Sequence, residues 1–283
     1  MKNRNAILSL SVNGRSISKP SLVKMEIQLK PSSSSTLETT FTLEEVKAAI
    51  WECDSNKAPG PDGINFFFIK KAWETIGDDI YGLVDDFYLS GLLPDGINSS
   101  FITRFPEVVG ANKLKDFTPI SLIGCLYKII SKLQANRLKA AMPEIIGEVQ
   151  HPFIKGRQIL DSVLIAIEII CHLKKSKSKA FDSVIWEYID EVMECTGFGV
   201  RRRGWIKQCI YIYSQSICPS KWLSPIQEFS MEKGLRQGDS LSPFLFNMVA
   251  EDLSRMLKIG CDLRLIEGIA LGQTRTSRAF PIY

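Results

Sequence analysis

The feature that most constrains this fold is the helical spacing of apolar residues along most of the chain. It is clearest from Ile80 to Tyr88, where apolar side chains recur at positions i, i+3, i+4, i+7 and i+8. We expect a helix here that is capped by Asp78 and ends at Ser90 and Gly91. Internal repeats and long strand series are absent from the sequence, which argues against barrels, sandwiches and solenoids. The pattern therefore predicts a helix-rich α+β protein.

The remaining elements are predicted from caps and periodicity. Thr42 and Glu45 have the spacing of a capping box, and Phe41 and Val46 that of a hydrophobic staple, so a helix begins at Thr42. Further helices are predicted at 126–138, 160–170 and 205–213, and another runs to residue 197 with Asp182 or Ser183 as its N-cap. Short strands are predicted at 101–105 and 229–233.

Residues 1–40 differ in composition from the rest of the chain. They are polar and include the run Ser32-Ser33-Ser34-Ser35, which cannot bury enough apolar area to offset the entropy of ordering. We expect a linker or tail over residues 1–40.

Composition limits the possible classes of protein. The 283 residues carry a net charge of +4, and no apolar run reaches the roughly 18 residues of a membrane span. The first 15 residues have no secretion signal, so we expect a globular intracellular protein, in either nucleus or cytoplasm. Seven dispersed cysteines without CxxC spacing and only two histidines argue against a disulfide framework, a zinc site or a histidine triad. The charge alone does not indicate a nucleic-acid partner.

Five segments combine loop-forming residues with charged or planar donors. They are Lys57-Ala58-Pro59-Gly60-Pro61-Asp62-Gly63, Asp116-Phe117-Thr118-Pro119-Ile120-Ser121-Leu122 (followed by Lys128 and Asn136-Arg137-Leu138), Phe153-Ile154-Lys155-Gly156-Arg157-Gln158, Lys179-Ala180-Phe181-Asp182-Ser183-Val184 and Gly234-Leu235-Arg236-Gln237-Gly238-Asp239-Ser240-Leu241-Ser242-Pro243.

Each segment has both a functional and a structural interpretation. Gly234 and Gly238 let the backbone approach a ligand, and Arg236 and Gln237 offer planar donors that suit a base pair or a phosphate. A tight turn leading into a helix explains the same residues. A basic turn at 155–157 could hold a phosphate, or its charges could simply be solvated. The loop at 57–63 could be only a rigid connector.

Together, in this order, the five segments resemble the reverse transcriptase of a non-LTR retrotransposon of the type abundant in plants. The resemblance covers about residues 42 to 271. It implies a right-hand polymerase with fingers at 42–173, an incomplete palm at 174–272 and a truncated tail at 273–283. The implied partners are an RNA template, a DNA primer and deoxynucleoside triphosphates, with Mg²⁺ as cofactor and no membrane. The site residues that match the family are Lys57, Lys155, Gly156, Arg157, Arg236, Gln237 and Gly238.

The sequence departs from this family where the chemistry requires carboxylates. Two metal ions held by palm aspartates catalyse polymerisation in the family. The first aspartate is expected three residues before Lys179, where this chain has Ser176, and the surrounding lysine-rich run lacks a buried strand pattern. We interpret Asp182 as a helix cap, and Asp252 and Asp262 lie in the wrong segment to substitute. A paired-aspartate hairpin is expected beyond Tyr283, so no catalytic or metal-binding residue is assigned.

Two single substitutions relative to the family pattern also argue against activity. Thr118 replaces a usual arginine and Glu107 a usual lysine, and both changes remove positive charge from the nucleotide route. The lysine run 174–179 and the triplet Arg201-Arg202-Arg203 are interpreted as solvated, with a nuclear localisation signal or an RNA-binding patch as the alternatives. Flanking domains expected for the family are missing, so we interpret the chain as a fragment.

Three hypotheses remain open from the sequence. The chain is a polymerase by descent that has lost activity, a non-catalytic module that binds RNA or RNA–DNA hybrid, or an unstable product of a decayed gene. The missing aspartates are either lost from the locus or encoded in sequence that the gene model skips. The sequence of the transcript would decide between these two possibilities.

Overall fold

The computed structural model describes residues 10–12, 15–17, 28–106, 110, 112, 117–146, 180–211, 216–217 and 231–262. The helices in these ranges are α1 (Pro31–Leu37), α2 (Leu43–Trp51), α3 (Phe66–Lys71), α4 (Trp73–Ser90), α5 (Cys125–Ile145), α6 (Trp186–Cys195), α7 (Val200–Ile210) and α8 (Ser242–Asp262). The strands are β1 (Leu10–Val12), β2 (Arg15–Ile17), β3 (Ser100–Pro106), β4 (Phe117–Ile123) and β5 (Ser216–Ile217). This mixture confirms the predicted helix-rich α+β class. No described helix is long and apolar enough to cross a bilayer.

The main sheet has the strand order β4-β3-β5. β3 and β4 are antiparallel, with Ser100 opposite Ile123 and Pro106 opposite Phe117, and β3 runs parallel to β5. The strand predicted at 101–105 is confirmed. β4 contains Pro119, which has no N–H to donate, and its position at the edge of this sheet accommodates that. The prediction of a strand at 229–233 is wrong for Met231 to Lys233, which are not in a strand.

Helix α2 begins where its capping residues predict. The Thr42 hydroxyl accepts a hydrogen bond from the Glu45 N–H at 3.1 Å, and Phe41 and Val46 are both buried. The Glu45 carboxylate instead forms a two-pronged pair with Arg137 of α5, with both N–O distances 2.8 Å. The Arg137 guanidinium also lies 3.8 Å from the centre of the Phe41 ring. Arg137 therefore ties α5 to the start of α2.

Helix α4 confirms its predicted end but not its predicted start. It ends at Ser90, with Gly91 in the left-handed conformation at φ 71°. It begins at Trp73, five residues before the expected cap Asp78. Gly77, which suggests a break, instead makes room for the Trp73 indole, because a Cβ there would lie 2.9 Å from the ring. Packing of Trp73 therefore extends the helix across a residue of poor helix propensity.

The expectation of an unstructured linker at 1–40 is wrong for α1. Leu29 and Leu37 are each 5% exposed and belong to the core. The Ser33 hydroxyl donates to Glu144 at 2.7 Å, and the Leu29 N–H donates to the Thr196 carbonyl at 3.0 Å. A seven-residue serine-rich helix is unstable alone, so these tertiary contacts stabilise it.

Helices α6 and α7 confirm the two helices predicted in this part of the chain, with shifted boundaries. The expectation that Asp182 or Ser183 caps α6 is wrong, because residues Ala180–Ser183 form a 3-10 turn and Ile185 is the N-cap. The predicted helix at 205–213 begins earlier, at Val200, and ends at Ile210. The helix predicted at 160–170 lies outside the described residues.

The prediction that Arg201, Arg202 and Arg203 are solvated holds for Arg201, which is exposed, and is wrong for Arg202 and Arg203. The Arg201 guanidinium lies 4.1 Å from the centre of the Tyr88 ring, and Arg203 forms a two-pronged pair with Asp190 at 2.7 and 2.8 Å. Arg202 is fully buried and donates to the Gln134 carbonyl at 2.7 Å. Burial, and then the charge of Arg137, lower the pKa of Arg202 to about 9. All three arginines contact a neighbouring helix, and Arg201 does so at the surface.

Helix α5 is the central element of the core, and it confirms and extends the helix predicted at 126–138. Two of its buried side chains, Ser131 and Gln134, are polar. Gln134 is fully buried, and neither its Oε1 nor its Nε2 has a hydrogen-bond partner. A buried unsatisfied amide destabilises the folded state.

We expect Gln134→Met to raise the free energy of unfolding by about 1 kcal/mol, because it removes unsatisfied polar atoms at similar length and helix propensity. Urea unfolding of both proteins measures the difference. Gln208→Met on the half-buried part of α7 is the control and should change stability by less than about 0.5 kcal/mol. A loss of stability in Gln134→Met would show that Gln134 has a partner.

Candidate template-binding loop

The segment Gly234 to Asp239, which we call the glycine loop, is fixed to the outer edge of the sheet at its C-terminal end. The Ser121 N–H of β4 donates to the Gln237 carbonyl at 3.1 Å. Gly238 has φ 103°, and a Cβ there would lie 3.4 Å from the Ser121 carbonyl oxygen. A left-handed conformation against a strand edge favours glycine strongly. Two of the five sequence segments therefore meet at Gly238.

The other end of the glycine loop is fixed to the segment before α6. The Gly234 N–H donates to the Val184 carbonyl at 2.7 Å, and the Gly234 carbonyl accepts from the Trp186 indole at 2.7 Å. Gly234 has φ 94°, and a Cβ would lie 3.3 Å from the Asp182 Cα. This contact brings a third segment, the 3-10 turn Ala180–Ser183, against the loop.

The loop presents two of its predicted site residues outward and one inward. Gln237 and Gly238 are exposed, whereas Arg236 is only 4% exposed. The Arg236 guanidinium donates to the Asn98 carbonyl and lies 4.8 Å from the centre of the Tyr127 ring. The expectation that Arg236 offers its donors to a ligand therefore disagrees with its placement. Arg236 instead fixes the loop from inside.

Asp239 is a further residue of this site that we did not assign from the sequence. Its carboxylate is 7% exposed and accepts from the Tyr127 hydroxyl at 2.8 Å, from the Ser131 hydroxyl and from the Leu241 N–H at 3.2 Å. Burial, and then the Asp239 charge, raise the pKa of Tyr127 well above its ordinary value, so its hydroxyl stays protonated. An acidic residue just before a helix is a typical capping residue, and the position of Asp239 before α8 could have indicated this role from the sequence.

The loop at 57–63 is the fourth segment, and it packs on the junction between β4 and α5. Gly60 lies against the backbone there, since a Cβ would be 2.3 Å from the Gly124 nitrogen and from the Ile123 carbonyl carbon. The Asp62 carboxylate accepts from the Cys125 N–H at 2.5 Å, at the start of α5. Lys57 is exposed at the outer end of this loop. Gly60 and Asp62 therefore fix the loop, and Lys57 is accessible.

The remaining predicted positions are not described. Lys155, Gly156 and Arg157 lie outside the described residues, as do Glu107, Ser176 and the lysine run 174–179. The same holds for Asp262 and Thr118 with respect to their side chains.

The described carboxylates do not fit a magnesium site. Asp239 is held by Tyr127, Ser131 and a backbone N–H, and Asp252 on α8 accepts from the Tyr188 hydroxyl. Within the described ranges, no three Asp, Glu, His or Cys residues are grouped so that they could hold a metal ion.

Asp252 is a buried carboxylate with one oxygen, Oδ1, that has no hydrogen-bond partner. Burial raises its pKa, although the Tyr188 hydroxyl and Arg255 lower it in part. The folded state therefore holds the Asp252 proton more tightly than the unfolded state. Stability is consequently lost as the pH rises through the raised pKa.

We expect Asp252→Asn to stabilise the chain by about 1 kcal/mol at neutral pH, because the amide carries no buried charge. The gain should shrink as the pH falls through the raised pKa of Asp252, because the aspartate is then itself protonated. Thermal unfolding of the wild type and Asp252→Asn between pH 4 and 8 measures this difference in stability. Asp79→Asn, an exposed change on α4, is the control, and a constant gain at all pH values would contradict the explanation.

Comparison with known proteins agrees with the resemblance of the motifs. The family model for "Reverse transcriptase (RNA-dependent DNA polymerase)" matches residues 110–267. The chain is 28% identical over 232 residues to the Transposon TX1 uncharacterized 149 kDa protein of Xenopus laevis, covering 78% of this chain and 18% of that protein. It is 28% identical over 253 residues to the Retrovirus-related Pol polyprotein from type-2 retrotransposable element R2DM of Drosophila melanogaster, covering 82% and 23%.

A further relative is the Retrovirus-related Pol polyprotein from type-1 retrotransposable element R2 of Popillia japonica, at 25% identity over 242 residues, with 80% of this chain and 31% of that protein covered. The chain thus spans less than a third of the length of each of these relatives. None of them is from a plant, so that detail stays a prediction. The matched family and the names of the relatives together show that the chain belongs to the reverse transcriptase (RNA-dependent DNA polymerase) family, with relatives in non-LTR retrotransposons.

Proposed function

We propose that this chain is the fingers and partial palm of a retrotransposon reverse transcriptase, and that it binds an RNA template paired with a DNA primer at the glycine loop. The observation that carries the proposal is the packing of four motif segments around one edge of the sheet. Gly238 packs on β4, Gly234 on the turn at Asp182, and Gly60 on the start of α5. The fingers are residues 42–173 and the partial palm residues 174–272.

The exposed part of this arrangement suits a nucleic acid. Gln237 has an accessible amide that both donates and accepts, and Gly238 has no side chain to keep a base pair away from the backbone. Lys57 adds an exposed positive charge for a phosphate. Lys155, Gly156 and Arg157 are proposed to contribute a second phosphate contact. Arg236 is proposed to act through the loop, because it is buried beneath it.

We further propose that the chain does not polymerise on its own. Bound Mg²⁺ ions would activate the primer hydroxyl and stabilise the leaving group. The family position for the first magnesium-binding aspartate is Ser176 here. The buried carboxylates of Asp239 and Asp252 accept hydrogen bonds from Tyr127, Ser131 and Tyr188. A primer-extension assay with Mg²⁺ and deoxynucleoside triphosphates should give no product, and any extended primer would contradict this part of the proposal.

Binding at the loop is tested with an RNA–DNA hybrid. We expect Gln237→Ala and Lys57→Gln each to weaken hybrid binding about five- to tenfold, the loss of one hydrogen bond or one charged contact. Lys139→Gln removes the same charge from an exposed position on α5 and is the matched control. Fluorescence anisotropy at fixed salt measures all four proteins. If Gln237→Ala and Lys57→Gln bind like the Lys139→Gln control, the hybrid does not lie at the glycine loop.

A further inference from the structure

Helix α3 turns two large aromatic side chains towards solvent. Phe66 and Ile69 are buried, at 3% and 2% exposure, and fix the inward side of this short helix. Phe67 and Phe68 consequently point outward and are 54% and 52% exposed. Exposed side chains of this size gain nothing from the hydrophobic effect, so a cluster of them indicates a contact surface.

The same surface continues onto α2 through a third aromatic side chain. Trp51 is 45% exposed, and its ring lies 5.5 Å from that of Trp73 at an angle of 89°. Trp73 begins α4 only two residues after Lys71. The Lys70 ammonium of α3 donates to the Trp51 carbonyl at 3.2 Å, so the exposed rings of α2 and α3 lie on adjacent elements.

Lysines lie over these rings. The Lys47 ammonium is 5.3 Å from the centre of the Trp51 ring and 5.7 Å from that of Trp73, and the Lys71 ammonium is 6.0 Å from the centre of the Phe67 ring. Lys47 and Lys71 are both exposed, and neither forms an ion pair within the described residues. We call the surface formed by Lys47, Trp51, Phe67, Phe68 and Lys71 the aromatic–lysine face.

Three carboxylates of the neighbouring segments have partners elsewhere. Glu45 pairs with Arg137, Glu52 pairs with Lys132 at 3.0 Å, and Asp62 accepts from the start of α5. Glu44 and Glu74 are exposed and lie in the first turns of α2 and α4, where the helix dipoles stabilise them. The charged groups that lie over the rings of this face are the ammonium groups of Lys47 and Lys71.

We propose that the aromatic–lysine face binds single-stranded nucleic acid, with bases stacked on Trp51, Phe67 and Phe68 and phosphates near Lys47 and Lys71. Exposed rings combined with cations are what a stacking platform for single strands requires. The centre of a protein–protein contact is instead depleted in lysine. The inference rests on the proposed function in one respect, since it names the unpaired template strand as the occupant, but its residues are separate from the glycine loop.

The test uses the full 283-residue chain and a fluorescently labelled single-stranded RNA of about 12 nucleotides. We expect Phe67→Ser with Phe68→Ser to lower the affinity at least about tenfold, the loss of one or more stacked bases. Leu89→Ser with Leu92→Ser is the control, because these side chains are 66% and 61% exposed on another part of the surface. A ribose-phosphate strand without bases should bind weakly, and equally to both variants.

Lys47→Gln with Lys71→Gln should reduce the salt dependence of binding by about the equivalent of two phosphate contacts. Equal RNA affinity of the Phe67→Ser, Phe68→Ser variant and the wild type overturns the inference, as does equal binding of strands with and without bases. A change only in self-association, measured by sedimentation, would assign the face to a protein partner and overturn it too.

The outcome is separable from that of the proposed function. If Gln237→Ala weakens hybrid binding but the phenylalanine changes do not affect single-strand binding, this inference is wrong. The proposal for the glycine loop then still holds. Single-strand binding that depends on the phenylalanines, without binding of hybrid, has the reverse meaning. A wild-type chain that binds neither nucleic acid overturns both.

Discussion

Replacing Gly60 by alanine is expected to destabilise the chain by about 3 kcal/mol, the upper end of the usual cost of overpacking. The added Cβ would lie 2.3 Å from the Gly124 nitrogen and the Ile123 carbonyl carbon, and 2.6 Å from the Ile123 oxygen. These are backbone atoms where β4 joins α5, so neither can rotate away as a side chain would. The 57–63 loop must therefore move off the junction, which also weakens the contact of Asp62 with Cys125.

The matched control is Gly82→Ala on helix α4. Nothing lies within 4 Å of a Cβ at Gly82, so the same substitution should stabilise the helix by up to about 1 kcal/mol. Urea unfolding followed by circular dichroism gives both values, with opposite signs expected. Equal stability of Gly60→Ala and the wild type would mean that the loop does not pack on this junction. The absence of any cooperative transition in the wild type would instead support the unstable-product hypothesis.

Asp239→Ala is expected to lower the free energy of unfolding by about 3 kcal/mol and to weaken hybrid binding at the glycine loop. It leaves the buried Ser131 hydroxyl without its acceptor and leaves the Tyr127 hydroxyl only the Cys209 carbonyl. It also removes the acceptor of the Leu241 N–H, and an unsatisfied buried donor costs about 1 to 3 kcal/mol. The glycine loop then loses the contact that fixes it beside α5. Asp239→Asn keeps one acceptor oxygen and should lose less.

A double-mutant cycle with Tyr127→Phe separates this network from general loss of packing. The two changes should be non-additive by about 1 kcal/mol or more, since both remove the same hydrogen bond. Asp95→Ala, an exposed carboxylate in the loop after α4, is the control and should change stability by less than about 0.5 kcal/mol. Additive effects of Asp239→Ala and Tyr127→Phe would show that the two groups do not interact.

Capping rules predicted the helix ends that depend only on residues adjacent in the sequence. Thr42 begins α2 and Gly91 ends α4, because capping and the left-handed conformation are properties of a few adjacent residues. The start of α4 and the existence of α1 depend instead on distant packing, of the Trp73 ring on Gly77 and of Leu29 and Leu37 on the core. Sequence periodicity does not contain that information.

In the candidate site, too, some features follow from the local sequence and others depend on distant packing. Gln237 and Gly238 are predicted because they match the family motif, and both are exposed in the structure. The sequence did not show that Arg236 points inward to Tyr127, or that Asp239 rather than Arg236 is surrounded by hydrogen bonds. The direction of a side chain in a loop depends on what the rest of the fold places beside it. Lys155, Gly156 and Arg157 stay predictions.

The docking of α1 has a consequence for synthesis of the chain. Ser34 donates to the Gly197 carbonyl and Glu38 accepts from the Arg202 N–H, contacts that join residues 163 and 164 positions apart. At about 5–20 residues per second, the ribosome takes roughly 8 to 33 seconds to add that much chain. Leu29 and Leu37 therefore wait without their final partners throughout that interval. A chaperone that binds apolar segments of nascent chains would have its longest opportunity at residues 28–38.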